Sequence, residues 1–201
     1  MKLQNIIEKS LNESVEVLNK FVSNKCSITN LEKSILVISD RLKKGGKIIS
    51  CGNGGSLCDS MHFAEELTGR FRNNRIPLAA ISLSDASHIT CSGNDFGFNS
   101  IFSRPVEALG KENDVLLCIS TSGNSENVVL AAQAAKKIGM AVISLTGGKV
   151  SKLSEISDIC IQVPHQGYSD RIQEIHIKCI HILVEGIEKE LLDVEDKSFD
   201  V

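Results

Sequence analysis

The period of the hydrophobic positions changes near residue 46. Before it, Leu3, Ile6, Ile7, Leu11, Val15, Leu18, Phe21 and Val22 recur at helical spacing. Residues 27–30 interrupt that pattern. A second helix is predicted to run to about Lys44, where Gly45-Gly46 ends it. Beyond residue 46, short apolar runs at 47–51, 78–83, 115–119, 141–145 and 159–163 read as five strands separated by helical segments. Buried strands alternating with helices predict an α/β fold, a five-stranded parallel sheet flanked by helices on both faces. No strand precedes the first two helices, so they fall outside the alternating unit and pack on it or on another subunit. The chain divides into an N-terminal helical pair, 1–45, an α/β domain, 46–192, and an acidic tail, 193–201.

The last helix, 168–192, has an unusual pattern. With Ile172 set at zero and steps of about 100° per residue, apolar side chains fill an arc of roughly 220°. A narrow polar strip of Glu174, Lys178, His181 and Glu185 is left. Such a helix is covered on more than one side. Gln173 and His176 fall inside the apolar arc and His181 at its border, and a polar side chain in an apolar sector must find a partner. His176 reads as a hydrogen-bonded core histidine. Gln173 and His181 lie about two turns apart on one flank, which favours a functional reading. The three long helices offer more apolar surface than one sheet covers. That predicts a homo-oligomer of closed symmetry, with a large monomeric core as the alternative.

Composition narrows the classes. The chain has 201 residues, 42% hydrophobic and 23% charged, which suits one globular domain. A net charge of −3 gives no electrostatic footprint for nucleic acid or an anionic membrane. No apolar run approaches the ~20 residues that span a bilayer. The first residues lack the apolar stretch of a signal peptide, so the expected location is the cytoplasm. The 7 cysteines are odd in number and form no CxxC pair. They read as small reduced core residues, with Cys51 and Cys91, beside loops, the first to consider as nucleophiles.

Two loops carry candidate chemistry. Ser120-Thr121-Ser122-Gly123-Asn124-Ser125 follows the apolar run 115–119 and precedes an Ala-rich helix, 128–138. A helix N-terminus offers unpaired N–H groups and partial positive charge, and four hydroxyl side chains add donors. There is no P-loop lysine, so a small phosphorylated ligand fits better than a nucleoside triphosphate. The second loop, Gly52-Asn53-Gly54-Gly55-Ser56, follows the first strand. Its glycines permit close approach to a ligand, although the spacing is not G-x-G-x-x-G and a plain tight turn is the alternative. Ser56 and Asp59 resemble a capping box opening the next helix. On that helix His62 and Glu66 share a face and could bind a metal or carry protons. An ordinary ion pair is the plainer reading, weakened by the neighbouring loop. Glu65 points about 100° away and is not excluded.

These stretches together resemble a known family. The serine loop looks like the phosphosugar-binding signature of sugar isomerase (SIS) domains. Cys51–Ser56, Met61–Arg70, Gly93–Phe98 and Asp170–Lys178 resemble the phosphoheptose isomerases, and the resemblance covers essentially the whole chain. It implies a SIS-type three-layer sandwich plus N-terminal helices. It implies conversion of sedoheptulose 7-phosphate to D-glycero-D-manno-heptose 7-phosphate, the first step towards the ADP-heptose of lipopolysaccharide core. It also implies a cytoplasmic homotetramer with sites between subunits and one Zn²⁺ per subunit. By motif, Ser120, Thr121, Ser122 and Ser125 would hold the phosphate, and Asn53, Gly54, Gly55, Asn94 and Asp95 would line the sugar. His62, Glu66, Gln173 and His181 would bind zinc, with Glu66 and His181 also the acid–base pair and Glu66 and Gln173 against the substrate. Arg70 and Asp170 are further polar site residues. Leu57 departs from the histidine that close relatives often carry.

An aldose–ketose interconversion moves one proton between C1 and C2 and another between the oxygens, tasks for a carboxylate and an imidazole. A non-catalytic SIS protein of the replication-initiator-associating type, or an isomerase of another phosphosugar such as arabinose 5-phosphate, are the alternatives.

Overall fold

A computed structural model describes residues 2–192. Two helices open it, α1 (Leu3–Ser23) and α2 (Lys25–Lys43). The strands are β1 (Ile48–Gly52), β2 (Ala80–Ser82), β3 (Val115–Ser120), β4 (Ala141–Gly147) and β5 (Ile159–Val163). The remaining helices are α3 (Gly55–Thr68), α4 (Ala86–Phe96), α5 (Ser103–Leu109), α6 (Glu126–Ile138), α7 (Lys152–Ile156) and α8 (Ser169–Leu192). All pairings are parallel, in the order β2-β1-β3-β4-β5. The order reverses at β1, so the crevice beyond the carboxyl ends of β1 and β3 is the switch point where open α/β sheets bind ligands. The predicted strands are present. β2 is shorter than the run 78–83 because it is an edge strand, with three residues paired to β1.

Side chains alternate across the sheet with a period of two. Val115, Leu117 and Ile119 pack with residues of α1, α2, α3 and α8. Leu116 and Cys118 pack with residues of α5, α6 and α7 on the other face. The architecture is a three-layer α/β sandwich.

The break between the first helices falls at Asn24, not at 27–30. Asn24 Oδ1 accepts from the Cys26 and Ser27 N–H groups, an N-cap that starts α2 at Lys25. The polar residues that looked like a break serve the sheet instead. Ser27 Oγ donates to Gln162 O at 2.8 Å and Asn30 Nδ2 to Cys160 O at 2.8 Å, which ties α2 to carbonyls of the outer strand β5. On α1, Val17 and Phe21 are buried, while Leu3, Ile7, Leu11 and Val15 are exposed within the single chain. The acidic tail, 193–201, lies outside the described residues.

α8 is wrapped as its pattern requires. Ile172, Ile175, Cys179, Ile180, Leu183, Val184 and Ile187 are buried, and the helix lies against α2, α3 and the sheet. His176 is fully buried, with Nε2 3.3 Å from Thr146 O. Its Nδ1 has no hydrogen-bond partner among the described residues. Burial lowers its pKa to about 4 from the ordinary 6.5, so the ring is neutral.

A histidine that protonates freely once unfolded, but not in the fold, costs stability as pH drops below about 6.5; the loss levels off near 4. Asp59 acts oppositely, because burial raises its carboxyl to about 6 and protonation then favours the fold. Comparison with His176→Gln cancels the Asp59 contribution. Between pH 7 and 4 the wild type is expected to lose about 3 kcal/mol relative to that variant in urea unfolding. Parallel stability curves would contradict a neutral buried ring.

Candidate active site

The serine loop closes the gap between β3, ending at Ser120, and α6, whose N-cap is Ser125. Ser120 Oγ lies 3.1 Å from Ser125 Oγ and 3.4 Å from Ser122 Oγ, so three hydroxyls converge at the helix N-terminus. Thr121 sits among them, partly buried. Ser125 makes no side-chain bond to the first turn of α6. Those N–H groups and the hydroxyls form an uncharged anion cradle. The loop is braced from behind. Gly147 N–H donates to Thr121 O, Leu153 N–H to Gly123 O, and Lys152 N–H to Asn124 Oδ1. Gly123 has φ +64°, and a Cβ there would be driven into Ser151 Oγ.

The glycine loop stands beside it, at the end of β1. Gly54, at φ 56°, is the N-cap of α3, which begins at Gly55 without a side-chain cap. The expected Ser56–Asp59 capping box is therefore not formed. The glycine turn starts the helix early enough to bury Ser56 and place Asp59 within it. Asp59 Oδ2 is buried with no hydrogen-bond partner among the described residues. Asn53 and Asn127 exchange amide hydrogen bonds, both 2.9 Å, and so couple the two loops. Asn127 was not evident from the sequence: its partner lies in another βα unit.

The chemistry-bearing side chains meet between α3 and α8. A Cβ at Gly55 would lie 2.8 Å from Gln173 Nε2, so the absence of a side chain there makes room for the amide. Two turns along, His62 Nε2 is 3.0 Å from His181 Nε2 and 3.4 Å from Glu66 Oε1. One ligand atom from each of His62, Glu66 and His181 lies within 4.8 Å of the others. Ligands on zinc at ~2.0–2.1 Å are spaced by ~3.3 Å in a tetrahedron, so this donor set fits the ion. Glu65 Oε1 is 3.5 Å from His62 Nδ1, behind the ring rather than in the cluster. The Phe71 ring packs 5.8 Å from that of His181.

Other candidates lie elsewhere in the single chain. Asn94 and Asp95 are exposed on α4, where Asn94 Nδ2 donates to Asp95 Oδ1 at 2.8 Å. Arg70 is exposed just after α3. Asp170 accepts the Arg171 N–H at the start of α8. Arg171 itself, unnoticed in the sequence, joins α8 to Glu13 and Ser14 of α1. The expectation of core cysteines holds for Cys51, Cys118 and Cys179, whereas Cys26, Cys58 and Cys91 are exposed. Hydrogen bonding to Asp95 raises the Cys91 thiol, and burial pushes Cys179 to about 12, so neither is an activated nucleophile.

A parallel sheet with an uncharged anion cradle at its switch point is the frame of an α/β module for small anionic ligands, and a family model described as the SIS domain matches residues 11–147. The phosphoheptose isomerase of Escherichia fergusonii is 58% identical over 188 residues, covering 94% of this chain and 98% of that protein. The solved phosphoheptose isomerase GmhA of Neisseria gonorrhoeae superposes with a TM-score of 0.87 at 39% identity, over 94% of this chain and 100% of the other. That of Francisella tularensis gives 0.89 at 35% identity, with the same coverage, 94% and 100%. The chain belongs to the phosphoheptose isomerase family of SIS-domain proteins.

Gly123→Ala places a side chain in the left-handed region and against Ser151, at a cost of about 1–2 kcal/mol from the backbone alone. The variant is expected to melt lower than wild type and to show a raised KM for a phosphorylated sugar with a smaller change in kcat. An unchanged KM would place the phosphate elsewhere.

Proposed function

We propose that this chain interconverts sedoheptulose 7-phosphate and D-glycero-D-manno-heptose 7-phosphate through an enediol(ate). Membership of the family makes it an aldose–ketose isomerase. The observation that carries the residue assignment is the meeting of His62, Glu66 and His181 between α3 and α8. α3 opens directly from the loop coupled to the serine cradle through Asn53 and Asn127.

In this reading Ser120, Thr121, Ser122, Ser125 and the N-terminus of α6 hold the phosphate and fix one end of the sugar. Asn53, Gly54 and Gly55 line the path to the reactive end, and Gln173 crosses it over Gly55. Glu66 takes the carbon-bound proton, and His181 moves the proton between the oxygens. The two carboxylate oxygens allow a division of labour: Oε1 faces His62, leaving Oε2 for the carbon. His62, Glu66, Gln173 and His181 would hold Zn²⁺, which when bound supplies Lewis-acid polarisation of the substrate oxygens.

The assembly in this proposal is a homotetramer with sites between subunits. The exposed apolar residues of α1 support an assembly. The outward placement of Asn94 and Asp95 suits residues that complete a neighbour's site. The reaction is read as the first step towards ADP-heptose, in the cytoplasm. Among the described residues no helix is long and apolar enough to cross a membrane.

Turnover of sedoheptulose 7-phosphate by the purified protein is the primary test. Glu66→Gln is expected to abolish turnover while leaving the fold intact by circular dichroism; near-normal turnover would remove Glu66 from the chemistry. Metal-stripped enzyme is expected to lose activity and recover it with Zn²⁺. Full activity after verified stripping would assign the cluster to proton transfer alone.

A further inference from the structure

The two helices that carry the cluster are fastened together just beyond it. Arg75, between α3 and β2, reaches back beneath the end of α3. Its Nη2 donates to Glu66 O at 2.6 Å, and its Nη1 to Leu67 O at 2.8 Å, Ile76 O at 3.1 Å and Gly69 O at 3.2 Å. Its Nε donates to Glu188 Oε1 on α8 at 2.6 Å. The two side chains are only 1% and 5% exposed. Nearby, Phe71 packs on His181 and Arg72 pairs with Glu185. Residues 181, 185 and 188 form one stripe of α8, so the segment after α3 runs along the stripe that begins at His181.

The last carbonyls of a helix lack partners within it, and a guanidinium can satisfy several at once. Here one of them belongs to Glu66, so the main chain of a cluster residue is bonded directly to the clamp. The acceptor on the other side lies two turns beyond His181 on the same rigid helix. A buried ion pair adds little stability over well-packed apolar residues, but neither partner can leave without stranding the other. Such a pair suits the setting of a fixed spacing.

We infer that the Arg75–Glu188 pair is a positioning element of the isomerase. It holds the register of α3 on α8 that brings His62 and Glu66 to His181. This rests on the isomerase reading above. The phosphate cradle is not part of the clamp, so its loss affects the chemical step rather than substrate capture.

The test uses Arg75→Met/Glu188→Met, which removes both charges together and, with them, the guanidinium's bonds to the carbonyls at the end of α3. The folded double variant is expected to keep its KM for sedoheptulose 7-phosphate while kcat falls about 10- to 100-fold, the range seen when groups supporting a site are removed. Its crystal structure is expected to show the His62–His181 spacing displaced from 3.0 Å. Wild-type kcat, or an unmoved cluster, overturns the inference. A second pair guards against misfolding. Glu188→Gln keeps an oxygen acceptor for Arg75 Nε and is expected to retain most of kcat, whereas Glu188→Leu does not; equal kcat in the two overturns the inference. A wild-type protein inactive on this sugar would remove the isomerase reading, and the crystallographic comparison would still decide the clamp.

Discussion

A helix with apolar side chains over most of its circumference must be covered on several sides at once. α8 meets that demand against the sheet, α2 and α3. The consequence reaches the site. α3 is drawn against one flank of α8, and α3 grows directly out of β1, whose end forms one wall of the crevice at the switch point. The polar residues on that flank are then forced together. Gln173 lies over Gly55, His181 against His62, and Glu188 against Arg75. Burial of apolar surface thus supplies the force, and a few polar pairs at the seam set the geometry.

The serine loop and the cluster divide the work differently. With neutral donors, the hydroxyls and the N-terminus of α6, the cradle would bind an anion by direction as well as by charge. Its backing from α7 and β4 keeps those donors in place before any ligand arrives. The reciprocal Asn53–Asn127 pair carries that order across to the glycine loop. In the proposed function a sugar anchored there by its phosphate would present its other end to side chains on two separate helices.

The parts legible in the sequence are those governed by local period. The strands, the serine loop before a helix, and the shared face of His62 and Glu66 all follow from spacing along one segment. Most of the misread parts have distant partners. Residues 27–30 look like a break because nothing local explains their polarity; the carbonyls of β5 do. Ser56 and Asp59 look like a capping box, but a glycine turn had already begun the helix. Arg70 is named by the family resemblance, whereas nothing local in the sequence singles out Arg75. Only the fold distinguishes exposed Arg70 from Arg75, whose guanidinium finds a carboxylate 113 residues away and is sealed from water. Glu188 falls at the border of the apolar arc, where a carboxylate is usually solvated.

The seam also bears on how one set of side chains can serve two roles. Two imidazole Nε2 atoms at 3.0 Å cannot both keep lone pairs pointed at each other. Either a proton or a cation must lie between them, because two acceptors at that distance repel. Glu66 Oε1, 3.4 Å from His62 Nε2, is a third donor on the same side. Zinc ligation and proton transfer, both proposed above for these side chains, would therefore draw on one cluster. The cluster exists because the packing of α3 on α8 brings a carboxylate and two imidazoles closer than they would stay in water. A seam looser by an ångström would weaken both uses together, since Coulomb energy and hydrogen-bond geometry decay over that same distance.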